Sequence, residues 1–502
     1  MAGTESSDIA AWLQEALALH RRADYGAAER LYRRVLERQP QHFDALHLLG
    51  VAARQRGDPQ SAVDFISRAI AVDATQAAPY CNLGAALQDI GDSAAALVQF
   101  ERALAIRPGY AMAHNNRGNA LRNLARYQEA LHSYRAALHH QADYAEAAYN
   151  CGTVLHRLER YADAVASYDA ALAIKPGYVD AWCNRGSALH MQQHYDTALD
   201  SFAEALRLDP AHASTLCNRG LALHKLGRHD DAMQDYRTAI ALRPAHADAH
   251  FFLGNVQRHL QQPIEAAASY RRALACGADV EMVQFALAAL GEVVGALPPS
   301  APAPYIKELF DGYADHFDEH LVDVLHYHTP QRMLESLRKA GITGGACIDL
   351  GCGTGLFGVL LRPLAQTLAG VDLSPRMLEQ ARRRGIYDSL ACAELCAFLV
   401  QREQAFDLAA AADVLVYIGD LAPVMHAVKR ALRPGGAFVF SVEESDGAAY
   451  ALRASQRYAH SSPYVQDVAA RAGMVVRSIE RHALREDQGI AIVGLIVVLG
   501  VR

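Results

Sequence analysis

An excess of positive charge is missing from this chain of 502 residues, which carries a formal net charge of −7. Lysine and arginine total 48 against 55 aspartate and glutamate residues, and both halves of the chain are slightly acidic. Proteins that bind nucleic acid through its phosphate backbone usually present a basic surface. The charge balance therefore argues against nucleic acid as a partner.

Paired cysteines are also missing. The nine cysteines form no C-x-x-C motif, and Cys392 and Cys396 have no histidine close by in the sequence. A structural zinc site needs four nitrogen or sulfur ligands at characteristic spacings. We therefore predict no metal site, and the scattered, odd number of cysteines indicates reduced thiols in a cytoplasmic protein.

Long hydrophobic runs are absent as well. The apolar segment 490–501 is shorter than the roughly 20 residues that cross a bilayer, so we interpret it as a buried strand. The N-terminus lacks a basic stretch followed by an apolar one, which predicts no secretory signal and no membrane partner. A single core stops growing near roughly 250–300 residues, so the chain must form at least two domains.

The first 280 residues contain a period of 34 residues. Alanine follows the repeating glycine after 12 residues, an aromatic residue usually follows after 16, and prolines close several copies. We expect the small residues to let two helices of a unit cross closely, and the aromatic residues to fill the gap to the next unit. The repeating glycines are Gly50, Gly84, Gly118, Gly152, Gly186, Gly220 and Gly254.

This pattern resembles the tetratricopeptide repeat, a helix–turn–helix unit of 34 residues. It predicts eight repeats over residues 9–280, stacked into an all-α superhelix with a concave inner face.

Five of the nine asparagines stand two residues before a repeating glycine: Asn82, Asn116, Asn150, Asn184 and Asn218. One interpretation is that each bonds a neighbouring helix or is inherited by duplication. The other is a ladder of amides facing the groove, where donor and acceptor together can pair with a peptide backbone of any sequence. The arrangement resembles the asparagine ladder of O-linked N-acetylglucosamine transferases, which implies a polypeptide partner in the groove.

The period fails after Ala278. We predict that the segment between the repeats and the next domain, residues 281–304, consists of a capping helix and a linker. The helix is expected over 280–297, and the semi-rigid linker contains Pro298, Pro299, Pro302 and Pro304. A second domain is then expected over 305–502.

Apolar, strand-like segments alternate with amphipathic helices after residue 345. This alternation predicts a parallel sheet covered by helices on both faces, with ligands at the carboxyl ends of the strands. The predicted strands are 346–350, 367–371, 406–411, 437–442, 475–480 and 490–499.

The segment ACIDLGCGTGLFGVLL, residues 346–361, contains two glycine patterns. A dinucleotide fingerprint, G-x-G-x-x-G, begins only at Gly353, whereas the strand ends at Leu350 and Gly351 follows at once. We therefore take Gly351, Gly353 and Gly355 as the cofactor-binding glycines. Asp349 would repel a pyrophosphate but suits an ammonium group, as in S-adenosyl-L-methionine. Asp372 ends the second strand, where an acid reaches ribose hydroxyls of either cofactor.

Residues 345–443 resemble the core of class I S-adenosylmethionine-dependent methyltransferases. The matching segments are IDLGCGTG, GVDLSPRMLEQAR, FDLAAAADVLVYIGDL and LRPGGAFVFSVE. The resemblance implies a Rossmann-like fold with an antiparallel final strand. It also implies that Leu373 and Met377 pack against adenine and that Glu394 meets the adenine amino group. The segments FDGYADHFDEHL and RYAHSSPYV are similar to those of bacterial methyltransferases fused to the same repeats.

Methyl transfer needs a base only where the acceptor must lose a proton. His460 is the preferred candidate, because it follows the fifth strand in what we expect to be a loop. Tyr417 is a second candidate. Other residues expected near the mouth are Tyr313, His316, Phe317, Asp413, Glu443, Glu444 and Arg457.

Three functions fit the sequence. The first is a methyltransferase whose superhelix recruits a polypeptide. The second is a small-molecule methyltransferase whose repeats serve assembly. The third is a non-enzymatic scaffold, against which the intact glycine turn and Asp372 argue. The acceptor, the partner and the oligomeric state are not determined by the sequence.

Overall fold

The computed structural model describes residues 2–293, 295–447, 449–487 and 489–502. Internal contacts divide the chain into two compact units, which join at Arg243 and Pro244. None of the described helices is both long and apolar enough to cross a bilayer.

The first unit is a stack of helix pairs, each pair forming one repeat. Its helices are α1 (Ala2–Arg21), α2 (Tyr25–Arg38), α3 (Phe43–Gln55), α4 (Pro59–Val72), α5 (Ala77–Ile90), α6 (Ser93–Ile106), α7 (Ala111–Asn123), α8 (Tyr127–His140), α9 (Ala145–Arg157), α10 (Tyr161–Ile174), α11 (Val179–Met191), α12 (Tyr195–Leu208), α13 (Ala213–Lys225) and α14 (His229–Leu242). Aspartates cap several second helices; Asp58, for example, accepts a 3.0 Å bond from the Ser61 backbone N–H.

The repeating glycine and the aromatic residue 16 positions later pack within one repeat. A Cβ atom on Gly152 would lie 2.6 Å from the ring of Tyr168, and the same holds for Gly186 and Phe202. The rings therefore fill the space between the two helices of their own repeat. Tyr168 also reaches the next repeat through Asn184 on α11, in agreement with the expectation that the aromatic residues fill the gap to the next unit.

First helices of successive repeats contact one another, α5 with α7 and α9 with α11 among them. In a curved stack the helices that lie closest together form the inner surface, so the first helices form the concave face. The five asparagines of the predicted ladder all lie on these first helices.

Each ladder asparagine uses its amide nitrogen to bond a residue 35 positions earlier, on the preceding repeat. The acceptors are His47 Nε2 for Asn82 (2.8 Å), Cys81 Sγ for Asn116 (3.8 Å), Asn115 Oδ1 for Asn150 (3.0 Å), the Tyr149 hydroxyl for Asn184 (2.9 Å) and Cys183 Sγ for Asn218 (3.6 Å). The amides thus link neighbouring repeats, which is the first of the two interpretations. A peptide-binding ladder remains a prediction.

The second unit begins with an eighth helix pair, α15 (Ala247–His259) and α16 (Pro263–Ala275), followed by α17 (Val280–Ala289). The capping helix is shorter than predicted. It ends before Gly291, whose φ of 84° is left-handed backbone that stops a helix.

The segment from Pro298 to Ala301, which we name the strap, is held against the α/β domain by hydrogen bonds. Pro299 O accepts the backbone N–H groups of Gly419 (2.8 Å) and Asp420 (2.9 Å), and Ala301 N donates to Tyr417 O (2.8 Å). The Tyr458 hydroxyl donates to Pro298 O at 2.7 Å. This part of the predicted linker is therefore a docked segment and not a spacer.

A nine-stranded sheet forms the centre of the α/β domain. Its strands are β1 (Gly345–Leu350), β2 (Ala365–Asp372), β3 (Ser389–Cys392), β4 (Phe406–Ala411), β5 (Leu432–Glu444), β6 (Tyr450–Leu452), β7 (Tyr458–His460), β8 (Met474–Asp487) and β9 (Ile490–Val501). Strands β3, β2, β1, β4 and β5 are parallel neighbours in that order, and β9 lies antiparallel between β5 and β8. The predicted Rossmann-like sheet with an antiparallel last strand is confirmed.

The helices of this domain are α18 (Ala303–Tyr313), α19 (Phe317–Glu319), α20 (Thr329–Lys339), α21 (Leu356–Leu361), α22 (Pro375–Arg384), α23 (Leu395–Val400), α24 (Ala422–Ala431) and α25 (Ser462–Arg471). A π-helical turn spans His320–Val324. Alternate residues of the central strands face α20 and α21 on one side and α23, α24 and α25 on the other. Burial on both faces explains why the strands are nearly uniformly apolar.

Candidate active site

A cavity of about 910 Å³ opens at the carboxyl ends of the parallel strands. Its wall includes residues that follow β1, β2, β3 and β4, the end of β5, the strap and helices α18 and α19. Loops at this edge of a parallel sheet meet where the strand order reverses, between β1 and β4. The volume is that of a site for a cofactor together with a small acceptor group.

The glycine turn brings bare backbone to the cavity. Gly351 and Gly353 both have positive φ, 65° and 53°, and both line the cavity. A Cβ on Gly351 would come within 2.3 Å of Val414, so only glycine fits there. Gly355 also has positive φ, but it faces Arg384 and Tyr387 and not the cavity. Gly355 therefore shapes the start of α21, and its predicted contact with a cofactor is not supported.

Asp349 lies at the inner end of the cavity, 1% exposed. Its Oδ2 accepts a 2.7 Å hydrogen bond from the Tyr387 hydroxyl. Burial raises the pKa of Asp349 to about 7; the bond from Tyr387 lowers that pKa, and the nearby Asp372 raises it. A cationic group in the cavity would favour the ionised carboxylate.

Asp372 stands at the end of β2, two residues beyond Gly370, which is the partner of Asp349 in β1. Its Oδ2 accepts from Gly353 N and its Oδ1 from Ser374 N, each at 2.8 Å. These bonds fix the carboxylate while each oxygen keeps a further lone pair. Burial raises the pKa of Asp372, and the backbone bonds lower it.

Of the three residues expected around adenine, two line the cavity and one does not. Leu373 and Glu394 line the cavity, and the Glu394 carboxylate caps α23 by accepting from Cys396 N (2.9 Å) and Ala397 N (2.7 Å). Met377 does not line the cavity: it is fully buried in α22, with its backbone N–H bonded to Ser374 Oγ. The expected contact of Met377 with adenine is therefore not supported.

Helices α18 and α19 form a lid over the glycine turn. Asp311 Oδ1 accepts a 2.5 Å bond from Ser374 Oγ, and Asp318 Oδ1 accepts a 2.5 Å bond from Thr354 Oγ1. Asp315 and Asp318 also pair with Arg376 and Arg384, respectively. The lid presents Tyr313 and Phe317 to the cavity, as expected from the sequence, together with His320.

Five charged residues line the cavity beyond the ends of β4 and β5: Asp413, Glu443, Arg453, Arg457 and Arg485. Arg485 bonds both Asp413, at 3.1 Å, and Glu443. Tyr417 lies beside them, with its ring 5.7 Å from the Arg457 guanidinium carbon. Burial raises the pKa of Tyr417, whereas Arg457 and Arg485 lower it. The net increase keeps Tyr417 a protonated donor at neutral pH, a poor general base.

His460 is not in a loop and does not line the cavity. It lies in β7, fully buried, with Nε2 3.0 Å from Gly419 O and its ring stacked on Tyr464. Burial lowers the pKa of His460 to about 4. The expected loop is a β6–β7 hairpin whose pairing draws His460 away from the mouth, so the structure does not support His460 as a base.

Several residues of the site were missed from the sequence. The lid acids Asp311, Asp315 and Asp318 are spaced by four and three residues, a helical spacing that could have indicated one common face. Arg485 lies 72 residues after Asp413, and the sequence holds no signal that joins them. The described residues contain no group of three or more histidine, cysteine or acidic side chains placed to hold a metal.

Comparisons with known proteins agree with this architecture. Residues 348–440 match the family profile of the methyltransferase domain. Residues 13–79, 78–107, 115–179, 179–212 and 213–246 match tetratricopeptide repeat profiles. The chain therefore combines tetratricopeptide repeats with a methyltransferase domain.

Curated relatives match about 26–31% of the chain. Malonyl-[acyl-carrier protein] O-methyltransferase of Halorhodospira halophila is 32% identical, over 27% of this chain and 47% of its own length. Nodulation protein S of Rhizobium tropici is 32% identical, over 31% and 63%. Ubiquinone biosynthesis O-methyltransferase of Xanthomonas oryzae is 27% identical, over 26% and 55%. The chain thus spans about half the length of these relatives.

Solved structures match the repeats. YrrB, described as a tetratricopeptide repeat protein with an unusual peptide-binding site, is 27% identical, covers 37% of this chain and 95% of its own, and superposes with a TM-score of 0.33. A repeat protein from Parabacteroides merdae is 20% identical, over 49% and 97%, with a TM-score of 0.41.

Proposed function

We propose that this chain is an S-adenosyl-L-methionine-dependent methyltransferase. The observation that carries the proposal is the convergence of Asp349, Asp372 and the bare turn at Gly351 and Gly353 on one cavity. Asp349 would hold the ammonium of the methionyl group, and Asp372 the ribose hydroxyls. When bound, the cofactor supplies a methyl group on a sulfonium, which leaves alignment and exclusion of water to the protein.

The residues present fit this cofactor and not a dinucleotide. A buried carboxylate beside the turn would repel a pyrophosphate, whereas it attracts an ammonium group. The turn also lies two residues before the start of the formal G-x-G-x-x-G match, since β1 ends at Leu350. Titration of the full chain with S-adenosylhomocysteine and with NAD tests the choice: binding of NAD alone would overturn it.

We further propose that the repeats recruit a polypeptide to the methyltransferase domain. The asparagines lie on the concave first helices, and holding a weakly bound chain there would raise its local concentration. The capping helix and the strap form part of the cavity wall through Glu281 and Pro299, so the end of the repeat array contributes directly to the site. In this function the repeats select the acceptor and the cavity methylates it.

A small-molecule acceptor is the second candidate. Two relatives are named malonyl-[acyl-carrier protein] O-methyltransferase and ubiquinone biosynthesis O-methyltransferase. The repeats would then serve assembly. A scaffold without activity is the weakest candidate, because Asp349, Asp372, Gly351 and Gly353 all line one cavity.

Labelled S-adenosyl-L-methionine, purified protein and a cell lysate separate these functions. Label in macromolecules supports the polypeptide acceptor, and label in small molecules alone supports the small-molecule acceptor. Absence of both methyl transfer and cofactor binding supports the scaffold. Joint replacement of Asn116, Asn150 and Asn184 by alanine should reduce macromolecular labelling. Asn123, which bonds Ser93 outside the ladder phase, is the matched control. Circular dichroism reports whether the variants keep their helices.

A further inference from the structure

Three arginines line the cavity beyond the ends of β4 and β5. Arg453 follows β6, Arg457 precedes β7 and Arg485 lies in β8, so a hairpin and a long strand bring them together. Two carboxylates, Asp413 and Glu443, pair with this group. Within the group three positive charges stand against two negative charges, so one arginine has no carboxylate of its own.

Two of the arginines are committed to the carboxylates. Glu443, which is 2% exposed, accepts bonds from Arg485 and from Arg453, the latter at 2.8 Å. Asp413 accepts from Arg485 at 3.1 Å and from Ser441 Oγ at 2.9 Å. These bonds hold Arg485 and Arg453 in place and neutralise their charge.

Arg457 is left with donors to spare. Its shortest approach to a carboxylate is 3.8 Å, from Nη1 to Glu443 Oε1, and its side chain makes no hydrogen bond with the described residues. The side chain is only 28% exposed. None of its nitrogens is both buried and without a partner, so its donors are open to solvent or to a ligand that enters the cavity.

Asp420 and Glu281, two further acids of the cavity wall, do not pair with Arg457. Asp420 accepts bonds from Ala422 N (3.0 Å) and from the Tyr464 hydroxyl (3.1 Å), which hold it against α24 and α25. Glu281 is exposed in the first turn of α17. The charge that remains open to a ligand on this side of the cavity is that of Arg457.

We propose that Arg457 binds a carboxylate of the methyl acceptor. This inference rests on the proposed methyltransferase function and names the acceptor class. The planar guanidinium matches a carboxylate in a bidentate pair. One arginine without a hydrogen-bonded carboxylate suits a single carboxylate, whereas Asp413 and Glu443 would repel the second charge of a phosphate. The Tyr417 ring lies 5.7 Å from the Arg457 guanidinium carbon and limits the directions from which the carboxylate can approach.

Anion binding by the full chain tests the inference. Propionate, propionamide and inorganic phosphate are titrated into protein saturated with S-adenosylhomocysteine, and again without it. We expect the monoanion propionate to bind at least tenfold more tightly than the neutral propionamide, the size of one charged hydrogen bond. Equal binding of the two, or tighter binding of phosphate than of propionate, would overturn the assignment.

Variants locate the anion. Arg457→Leu should weaken propionate binding tenfold or more, Arg457→Lys should retain part of it, and both should bind S-adenosylhomocysteine as the unaltered chain does. Arg481→Leu, which removes an exposed arginine paired with Glu444 outside the cavity, is the matched control. Unchanged propionate binding by Arg457→Leu refutes this inference, whereas failure of the unaltered chain to bind S-adenosylhomocysteine refutes the proposed function.

Discussion

The Tyr387 hydroxyl donates a 2.7 Å hydrogen bond to Oδ2 of Asp349. The bond holds a fully buried carboxyl group at the inner end of the cavity, where burial raises the pKa of Asp349 to about 7. The candidate cofactor site therefore contains a group that changes charge close to neutral pH.

Cofactor affinity should depend on pH through Asp349. An ammonium group beside the carboxylate favours the ionised form, so S-adenosylhomocysteine affinity should increase as the pH rises towards about 7, by up to about tenfold per unit, and level off above. Asp349→Asn should bind more weakly and lose this dependence. Calorimetric titration between about pH 5.5 and pH 8.5 measures both, and a flat profile for the unaltered chain would contradict the assignment.

The same group should affect stability in the opposite sense. The folded pKa of Asp349 lies above its ordinary value of 3.8, so between about pH 4 and pH 7 the folded state holds a proton that the unfolded state releases. The contribution of Asp349 to the stability of the ligand-free chain should therefore fall over this range and stay low above it. Asp349→Asn should raise the melting temperature of the α/β domain at pH 8 but not at pH 4. Asp467→Asn, at an exposed ion pair, is the control.

Asp372→Asn should weaken S-adenosylhomocysteine binding tenfold or more. The amide has one oxygen, so it cannot accept from both Gly353 N and Ser374 N and also from ribose hydroxyls. Asp467→Asn again serves as the control, because it removes the same single negative charge but lies on α25, outside the cavity lining. Affinity within twofold of the unaltered chain would remove Asp372 from the cofactor site.

Loosening the lid should speed cofactor release. Asp318 accepts from Thr354 in the glycine turn and pairs with Arg384 at the end of α22, so Asp318→Asn weakens the contacts of α19 with the turn and with α22. These links are partly exposed, and we expect S-adenosylhomocysteine to dissociate about two- to fivefold faster. Stopped-flow displacement measures the rate. Glu379→Gln, at an exposed pair with Arg383, should leave it unchanged.

Gly152→Ala should destabilise the repeats by about 1–3 kcal/mol. The new methyl group would lie 2.6 Å from the Tyr168 ring, which is fully buried and cannot retreat. Gly177→Ala is the matched control, because nothing lies within 4 Å of its Cβ position and its φ is not positive. Urea unfolding followed by far-ultraviolet circular dichroism compares the two, and equal midpoints would contradict the packing argument.

The features that were predictable from the sequence are those set by local periodicity. The 34-residue period predicted the helix pairs, and the strand ends at Leu350 and Asp372 predicted which residues meet at the sheet edge. Both rest on short-range patterns that the tertiary structure preserves.

The features that were not predictable depend on distant pairing. His460 was misplaced because β6 and β7 have three residues each, too few for an alternating pattern to show. Met377 was misplaced because the rotation of α22 about its axis is set by its packing, which the motif does not specify. Arg485 reaches Asp413 only because β8 runs antiparallel to β9 beside β5.

The docked strap limits how the repeat array and the α/β domain can be recombined with those of other proteins. A boundary drawn at residue 305 would cut the Tyr458 bond to Pro298 and strip Phe285 from its contacts with Tyr305 and Tyr458. An exchange of repeat arrays between such proteins would therefore succeed only with the capping helix and strap carried along, or with compensating changes at Tyr458. We expect substitutions at these positions to co-vary among relatives that share both parts.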